Sequence, residues 1–411
     1  MSYKKIEKCR ISGKSDLIEF LNLGDQFLTG VFPKSKDEHI TKGPLSLCWS
    51  QSSNLVQLRH SYSAEEMYGS NYGYRSGLNR SMVEHLTNKV RYLENLVNLN
   101  QEDTVLDIGS NDGTLLNSYS NAFNRRIGID PTSKKFREFY KDGIVIVSDF
   151  FDADVFKSNS KNKAKIVTSI AMFYDLEDPS LFVRDIYDIL DDDGVWHFEQ
   201  SYLPSMINSN SYDTICHEHI EYYSLGVINS LLENNDLKII DVAMNSINGG
   251  SFCITAAKKS CVKYDKKNPY VNWLLDQEKK MGYNDIKIYN EFAERVLSHK
   301  QSIISLLDSL KNAGKKIIGY GASTKGNVLL QYCGINADYL SYIVDVNEEK
   351  DGCYTPGTNI PILKETDKLK NDSDYMLVLP WHFREFILEK EKDYLWRDKK
   401  LIFPFPFIQI I

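Results

Sequence analysis

A single stretch, Thr104–Leu116, constrains the fold of this chain more than any other. It opens with an apolar run that predicts a buried strand, passes through a turn that contains Gly109 and Gly113, and resumes with the apolar start of a helix. Glycines in such a turn let backbone N–H groups approach a ligand closely. Because open α/β sheets bind ligands at the carboxyl ends of their strands, the stretch predicts an α/β domain with its ligand at this turn.

Two carboxylates accompany the turn. Asp107 lies near the end of the first predicted strand, and Asp130 ends the second, about twenty residues after Gly109, where nucleotide-binding domains place a ribose-binding acid. The turn carries Asn111 and Asp112 rather than a Gly-x-Gly-x-x-Gly pattern. Their polar groups suit a ribose-like or amino-acid-like ligand better than a pyrophosphate. In this the turn resembles the S-adenosylmethionine turn of class I methyltransferases.

The third predicted strand ends at Asp149 and Phe150. In one interpretation, Asp149 accepts a hydrogen bond from the exocyclic amine of an adenine, and Phe150 packs on the ring. In the other, Asp149 is the N-cap of the helix that follows. Both interpretations place Asp149 at the same edge of the sheet as the glycine turn.

The pattern predicts an α/β fold in three parts. A small, turn-rich N-terminal lobe covers residues 1–75. A Rossmann-like central domain covers residues 76–260, with a turn at 191–194 before its fifth strand and a hairpin that closes its sheet. A helical connector and a second, smaller α/β domain cover residues 261–411.

Composition and charge limit the partners. The chain has 411 residues, a net charge of −7 and no basic stripe, which argues against nucleic acid or an anionic membrane as a partner. No apolar run is long enough to cross a bilayer, and the first residues form no apolar signal segment, so we expect a cytoplasmic protein. The seven scattered cysteines fit reduced thiols better than a disulfide framework.

A tyrosine-rich stretch, Tyr68–Gly77, lies at the boundary of the lobe and the central domain. It contains Tyr72, Tyr74 and Arg75. One interpretation is a hairpin with aromatic packing between its strands. The other is a lid over the substrate, whose phenols supply hydrogen bonds or acid–base groups.

The most informative loop lies between the fifth strand and the closing hairpin. It contains His217, Glu218 and His219, flanked by tyrosines that include Tyr222. The spacing is not that of a metalloprotease helix, which needs His-Glu-x-x-His. Extended chain would place both imidazoles on one side and Glu218 on the other. A neutral imidazole is the usual general base near pH 7, and a carboxylate can fix its tautomer. The alternative is a pair of histidines in a polar turn.

A second strand–turn–helix pattern begins at Lys316, and its turn carries Ser323 and Lys325, which suit a diphosphate. A methyl donor on one α/β unit, a diphosphate on the other and a base between them predict methylation of a sugar carried on a nucleoside diphosphate. Carbon becomes nucleophilic only beside a carbonyl group. The predicted chemistry is therefore removal of the proton α to a ketone, followed by attack of the enolate on the sulfonium methyl.

Seven motifs occur together in the chain, namely Tyr72–Gly77, Asp107–Gly113, Tyr212–His219, Asn248–Ser251, Gly319–Asn327, Thr355–Thr358 and Pro380–Phe383. With this set the whole chain resembles the sugar C-methyltransferases, which act at C3 of nucleotide-linked 4-keto-deoxyhexoses in the assembly of surface polysaccharides or secondary metabolites. The resemblance implies S-adenosylmethionine as the donor, His219 as the base and Glu218 as its neighbour.

Together, the patterns and the resemblance define the predicted site. The cofactor-binding residues are Asp107, Gly109, Asn111, Asp112, Gly113, Asp130, Asp149 and Phe150. The catalytic residues are His219, Glu218, Tyr74 and Tyr222. The substrate-binding residues are Tyr72, Arg75, His217, Ser323, Lys325 and Asn327. The acceptor is a nucleotide-diphosphate sugar.

The chain departs from that family in its N-terminal lobe. The family's lobe resembles a four-cysteine zinc site, whereas here Ser12, Ser50 and Ser53 stand at three of the ligand positions and only Cys9 remains. Serine hydroxyls stay protonated and are poor zinc ligands. We therefore expect no zinc and a lobe held together by packing.

Two further positions differ near the predicted base. Cys216 stands where some members have a tyrosine, so that the role of this tyrosine is lost or taken by Tyr222 or Tyr223. Tyr174 and Asp175 replace a region where some members carry a histidine.

Two other activities stay open. A sugar O-methyltransferase could use the same base, His219. A non-catalytic nucleotide-sugar-binding subunit would explain the lost zinc ligands, but Asp107, Asp130, Glu218 and His219 are intact. A nicotinamide-dependent dehydrogenase or epimerase ranks last, because Gly319–Gly321 has only half of the required glycine pattern.

Overall fold

The computed structural model describes residues 3–63, 67, 75–120, 125–264 and 268–411. Within these ranges the chain forms a small antiparallel lobe, a central, mostly parallel sheet and a second, mostly parallel C-terminal sheet. The predicted α/β fold class is confirmed.

Five strands form the N-terminal lobe. They are β1 (Tyr3–Lys5), β2 (Leu17–Phe27), β3 (Lys42–Ser50), β4 (Val56–Leu58) and β5 (His60–Tyr62). Strands β2, β3 and β4 pair antiparallel in that order, and β1 pairs with β5. Leu45, Leu47 and Val56 are fully buried under this sheet, so the lobe has an apolar core.

The central domain begins with helix α1 (Arg80–Leu96), whose apolar face packs on the sheet through Leu86, Val90 and Leu93. The elements that follow are β6 (Thr104–Ile108), α2 (Thr114–Asn117), β7 (Arg125–Ile129), β8 (Ile144–Val147), α3 (Ala153–Asn159), β9 (Ala164–Ile170), α4 (Pro179–Ile189), β10 (Leu190–Ser201), α5 (Leu203–Asn208), β11 (Glu221–Tyr222), α6 (Leu225–Glu233), β12 (Leu237–Asn245) and β13 (Ser251–Lys258).

Seven of these strands form one sheet in the order β12-β13-β10-β9-β6-β7-β8. Strand β13 runs antiparallel to both of its neighbours, and the other pairs are parallel. Strand β6 is buried along its whole length, because apolar side chains cover both faces of the sheet. The strand order reverses between β6 and β9, so the glycine turn after β6 lies where ligands bind in such sheets. The predicted closing hairpin, β12 and β13, is confirmed.

The predicted turn at 191–194 is wrong. Strand β10 already begins at Leu190, and the four residues form an irregularity in its pairing with β9. Lysines on the neighbouring strands hold this part extended, since Lys258 Nζ lies 2.9 Å from Asp192 Oδ1 and Lys165 binds Asp193.

The C-terminal part begins with the predicted helical connector, which consists of two helices, and continues as a second α/β unit. Its elements are α7 (Pro269–Met281), α8 (Ile286–Asn312), β14 (Ile317–Tyr320), α9 (Thr324–Cys333), β15 (Ile343–Asp345), β16 (Ile362–Lys364), α10 (Asp367–Asn371), β17 (Tyr375–Val378), α11 (Arg384–Lys390), α12 (Lys392–Trp396), β18 (Lys400–Phe403) and β19 (Gln409–Ile410). The sheet order is β16-β15-β14-β17-β18-β19, parallel except for β19.

Strand β11 leaves the central domain and adds to the edge of the lobe sheet, where it pairs with β4. The sequence did not indicate this pairing. The lobe, the segment before β11 and the C-terminal unit share one apolar core, which includes Leu47, Ile215 and Ile318. The loop with the His-Glu-His triplet is therefore held where the three parts meet.

No helix among the described residues combines the length and the apolar composition that a membrane span requires.

Candidate active site

The glycine turn has a left-handed backbone at three positions. The φ angles are 71° at Gly109, 50° at Asn111 and 73° at Gly113. A Cβ at Gly113 would lie 2.6 Å from the ring of Tyr140, so a larger residue would clash there in addition to the strained backbone.

Asp130 holds this turn in place. Its Oδ2 accepts a hydrogen bond from the backbone N–H of Asn111 at 2.8 Å, and its Oδ1 accepts from the backbone and the hydroxyl of Thr132, both at 2.6 Å. Asp107 accepts from the Thr168 hydroxyl at 2.6 Å, and burial raises its pKa to about 7. A carboxylate has about four lone-pair sites, so both side chains keep acceptor capacity at the carboxyl edge of the sheet.

The side chains of Asn111 and Asp112 form hydrogen bonds within the protein. They accept hydrogen bonds from the backbone N–H groups of Ser76 at 3.1 Å and Gly77 at 2.9 Å. Arg75, predicted to bind substrate, lies with its guanidinium 3.8 Å from the centre of the Phe139 ring and with Nε 3.3 Å from Asp112 Oδ2. The end of the tyrosine-rich stretch is thus anchored on the glycine turn. Tyr72 and Tyr74 lie outside the described residues.

Asp149 and Phe150 are exposed at the same edge of the sheet. The N-cap of α3 is Asp152, which accepts from Val155 N at 2.7 Å, so the N-cap interpretation of Asp149 is wrong. The Phe150 ring is 57% exposed and available to a planar ligand.

His219 has the geometry of a base. Its Nδ1 lies 3.1 Å from the carbonyl oxygen of Thr214, a contact that requires Nδ1 to donate and leaves the lone pair on Nε2. The ring packs on Tyr174, with 4.3 Å between centroids. Burial, followed by the charge of Lys325, lowers its pKa to about 4. The imidazole is therefore neutral at pH 7.

The expected alternation of the triplet is wrong, because bends at residues 217 and 218 replace extended chain. His217 is fully buried and packs edge-on against Tyr62, with 4.6 Å between centroids. Burial lowers its pKa to about 4. His217 therefore joins the loop to the lobe instead of facing a substrate. Glu218 points toward the lobe as well, since a Cβ on Gly30 would lie 2.7 Å from its Oε1.

Tyr222 is not an accessible acid–base group. It lies in β11 opposite Val56 and is almost completely buried. Burial, followed by the charge of Cys216, raises its pKa well above the usual value of a tyrosine. Its predicted catalytic role is contradicted by this position.

The second turn contributes one side chain to the site. Lys325, in the first turn of α9, donates from Nζ to the carbonyl oxygen of Asn248 at 2.5 Å and lies near Asp213 and His219. Ser323 is the N-cap of α9 and accepts from Gly326 N at 3.0 Å.

Asn327, predicted to bind substrate, is buried instead. Its Nδ2 donates to Thr29 O at 2.8 Å, so it ties α9 to the lobe.

Two further groups of residues complete this region, and the sequence alone did not indicate them. Asp213 is buried and accepts from the Trp381 indole at 2.7 Å. Glu199, at the end of β10, contacts His85 and Lys89. His85 and Lys89 are four residues apart, so they lie on one face of a helix. This spacing is the sequence feature that could have indicated a shared partner.

The four positions of the degenerate zinc site do come together. Cys9 Sγ lies 3.1 Å from the Ser53 hydroxyl and accepts from Ser12 N at 3.4 Å, and the Ser12 and Ser50 hydroxyls lie 2.9 and 3.4 Å from that of Ser52. One thiol with three hydroxyls does not fit structural zinc. In the described part of the chain, no group of three or more His, Cys, Asp or Glu side chains could hold a metal ion.

Three family models match consecutive parts of the chain. The model described as "Putative zinc binding domain" matches residues 9–68, "Methyltransferase domain" matches residues 80–242, and "C-methyltransferase C-terminal domain" matches residues 246–406. C-methyltransferase NovU from Streptomyces niveus is 28% identical over 412 residues, an alignment that covers 99% of this chain and 97% of NovU.

Solved methyltransferase structures match less than half of the chain. Magnesium protoporphyrin IX methyltransferase (ChlM) from Synechocystis PCC 6803 with bound S-adenosylmethionine is 14% identical, covering 43% of this chain and 78% of that chain, with a TM-score of 0.32. The mitomycin 7-O-methyltransferase MmcR is 13% identical, covering 44% of this chain and 55% of that chain, with a TM-score of 0.34.

Proposed function

We propose that this chain, which belongs to the C-methyltransferases, transfers the methyl group of S-adenosylmethionine to C3 of a 4-keto-deoxy sugar carried on a nucleoside diphosphate. When bound, S-adenosylmethionine supplies an electrophilic methyl group on its sulfonium. The residues at the carboxyl edge of the central sheet fit this donor. Asp107 and Asp130 offer carboxylates, Phe150 offers an exposed ring, and the turn at Gly109 brings backbone close to a ligand.

The position of His219 carries the proposal. The imidazole lies where the lobe, the central domain and the C-terminal unit meet, and yet it is partly exposed, as is Lys325. We infer that these partly exposed side chains line the substrate cleft. The hydrogen bond to Thr214 directs the basic nitrogen, Nε2, away from the backbone of its own loop. The cleft thus holds a neutral base beside a cation.

This pair suits proton removal next to a ketone. His219 Nε2 accepts the proton from the carbon α to the carbonyl group, and the electron pair of that C–H bond becomes the enolate. The ammonium group of Lys325 favours the negative charge on the enolate oxygen. A positioned base typically contributes ~10²–10⁴-fold to the rate, and alignment of the enolate carbon with the methyl group contributes further.

The turn that follows β14 is suited to binding a diphosphate. Gly321 has a φ angle of 77°, and Ala322 N donates to Asp345 Oδ2 at 2.6 Å, the same arrangement that Asn111 and Asp130 form in the central domain. The helix α9 begins there, and its N-terminus and Lys325 attract anions.

The proposal is tested with purified protein, S-adenosylmethionine and a 4-keto-6-deoxy nucleotide sugar. Mass spectrometry should show one added methyl group, and NMR of the product should show that methyl on C3, with no proton left at that carbon. A methyl group on oxygen would establish sugar O-methylation instead. Donor binding without methylation of any keto sugar would exclude this acceptor class.

A further inference from the structure

A group of polar side chains outside the cleft residues links helix α1 to the carboxyl end of strand β10. His85 and Lys89, one helical turn apart, both contact the carboxylate of Glu199. His85 Nε2 lies 2.8 Å from Oε1, and Lys89 Nζ lies 2.6 Å from Oε2. Glu199 and Lys89 are buried, whereas the His85 side chain is 18% exposed.

The hydrogen bonds fix the tautomer of His85. Asn245 and Cys253 donate to Oε2 of Glu199 at 2.6 and 2.7 Å, in addition to Lys89, so Oε1 is left to the imidazole. Burial alone would raise the pKa of Glu199, but the bond from His85 and the charge of Lys89 lower it to about 2. An ionised carboxylate only accepts. His85 therefore donates from Nε2, and in the neutral form of the ring the lone pair then lies on Nδ1.

The topology places His85 at the edge of the sheet where the donor turn lies. Helix α1 precedes β6 and runs from the carboxyl edge of the sheet to its amino edge, so its first turns lie at the same edge as the glycine turn. Ser76 and Gly77, just before α1, bind the side chains of the glycine turn. The Glu199 carbonyl accepts from Ala171 N at 2.7 Å, on the loop that leads to Tyr174.

The same group is joined to the cleft on its other side. Asn245, which binds Glu199, begins the turn whose Asn248 carbonyl accepts from Lys325. Within the described part of the chain, the His85 ring hydrogen-bonds to Glu199 through Nε2, and its side chain is 18% exposed. The His85 ring is thus partly exposed, and the buried Lys89–Glu199 ion pair fixes its orientation. This arrangement suits a side chain that binds a ligand.

We propose that His85 contacts the acceptor sugar, with Nδ1 accepting a hydrogen bond from a sugar hydroxyl group, and that Glu199 and Lys89 are positioning residues for its imidazole. This inference rests on the proposed function and adds a specificity contact to it. A sugar offers several hydroxyl donors, and a lone pair on a neutral imidazole selects for a donor over a carbonyl group at that place.

Two variants separate this contact from a structural role. In His85→Gln the amide reaches the place of Nε2, which keeps the bond to Glu199 and removes the acceptor at Nδ1. In His85→Asn the amide oxygen stands near Nδ1, which keeps an acceptor and removes the bond to Glu199.

We expect His85→Gln to raise KM for the keto sugar roughly fivefold, the loss of one hydrogen bond, with Tm and the Kd of S-adenosylmethionine unchanged. His85→Asn should lower Tm and change KM less. Wild-type kinetics in His85→Gln, with impairment only in His85→Asn, would show that His85 is a structural tie and would overturn the proposal.

Failure of the proposed function leaves a different signature. If the wild-type protein binds the donor but methylates no keto sugar, His85 is tested by labelling with diethyl pyrocarbonate and peptide mass spectrometry, with the fully buried His217 as the internal control. Modification of His85 that an excess of a nucleoside-diphosphate sugar prevents would support the contact. A His85 that is unmodified, or modified equally with and without the sugar, would overturn it.

Discussion

The indole Nε1 of Trp381 donates a hydrogen bond of 2.7 Å to Oδ2 of Asp213, and this bond joins the C-terminal unit to the short turn that supports His219. Asp213 immediately precedes Thr214, whose carbonyl orients His219. Burial raises the pKa of Asp213 to about 6, against the opposing effects of Lys325 and Trp381. The orientation of the His219 imidazole therefore depends on docking of the C-terminal unit.

Replacing Trp381 with Phe removes the donor and leaves the buried carboxylate of Asp213 without its indole partner. We expect a loss of about 1–3 kcal/mol in the free energy of unfolding and a larger effect on kcat than on the Kd of S-adenosylmethionine. Urea unfolding and steady-state kinetics measure both. Trp396→Phe is the matched control, because Trp396 is 93% exposed. Equal stability of the two variants would contradict the role of this bond.

His219→Asn tests the base. The variant should bind S-adenosylmethionine with unchanged affinity, because the glycine turn is intact, and should lose turnover by ~10²-fold or more. Calorimetry and single-turnover methylation measure the two quantities. The surface variant His39→Asn serves as the control, since His39 is exposed. Turnover that stays at the wild-type level would remove His219 from the role of base.

Lys325→Gln tests the electrostatics of the cleft. Burial and then the charge of Lys325 lower the pKa of His219 to about 4. The base works only when neutral, so activity is present above this pKa and is lost as the pH falls through it. Without the cation the pKa of His219 should rise, and the acid limb of the kcat/KM profile should move to higher pH. Lys325→Arg keeps the positive charge, so the acid limb of its profile should lie at the same pH as in the wild-type protein. An identical limb in Lys325→Gln and the wild-type protein would refute the coupling.

The degenerate zinc site offers a gain-of-function test. Changing Ser12, Ser50 and Ser53 together to Cys would place four thiols where one thiol and three hydroxyls now gather. We expect this triple variant to hold one zinc ion per chain and to melt at a higher temperature with zinc than with a chelator. Elemental analysis and thermal unfolding measure this. Failure of the variant to retain zinc would show that the four positions are not arranged as ligands.

Local chemistry made much of the central domain predictable. The buried strand Thr104–Ile108, the glycine turn and the position of Asp130 follow from an apolar run, two glycines and one spacing, and each of these acts within a few residues or on a neighbouring strand. The closing hairpin and the second α/β unit are predictable for the same reason.

Contacts between distant parts of the chain were not predictable in this way. His217, Tyr222 and Asn327 look like site residues in the sequence, but each is buried against the lobe. The pairing of β11 with β4 is what places His217 and Tyr222 against the lobe. Nothing in the sequence of either short strand specifies the other as its partner. The contact of Glu199 with His85 likewise joins a strand to a helix 114 residues earlier.

The central claim is that His219 generates an enolate, and one experiment addresses it directly. The protein is incubated in deuterated water with a 4-keto-6-deoxy nucleotide sugar and S-adenosylhomocysteine, which cannot donate a methyl group, and the sugar is analysed by mass spectrometry. The account predicts that deuterium enters the position α to the ketone with the wild-type protein and much more slowly with His219→Asn. Exchange at equal rates in the two proteins would contradict it.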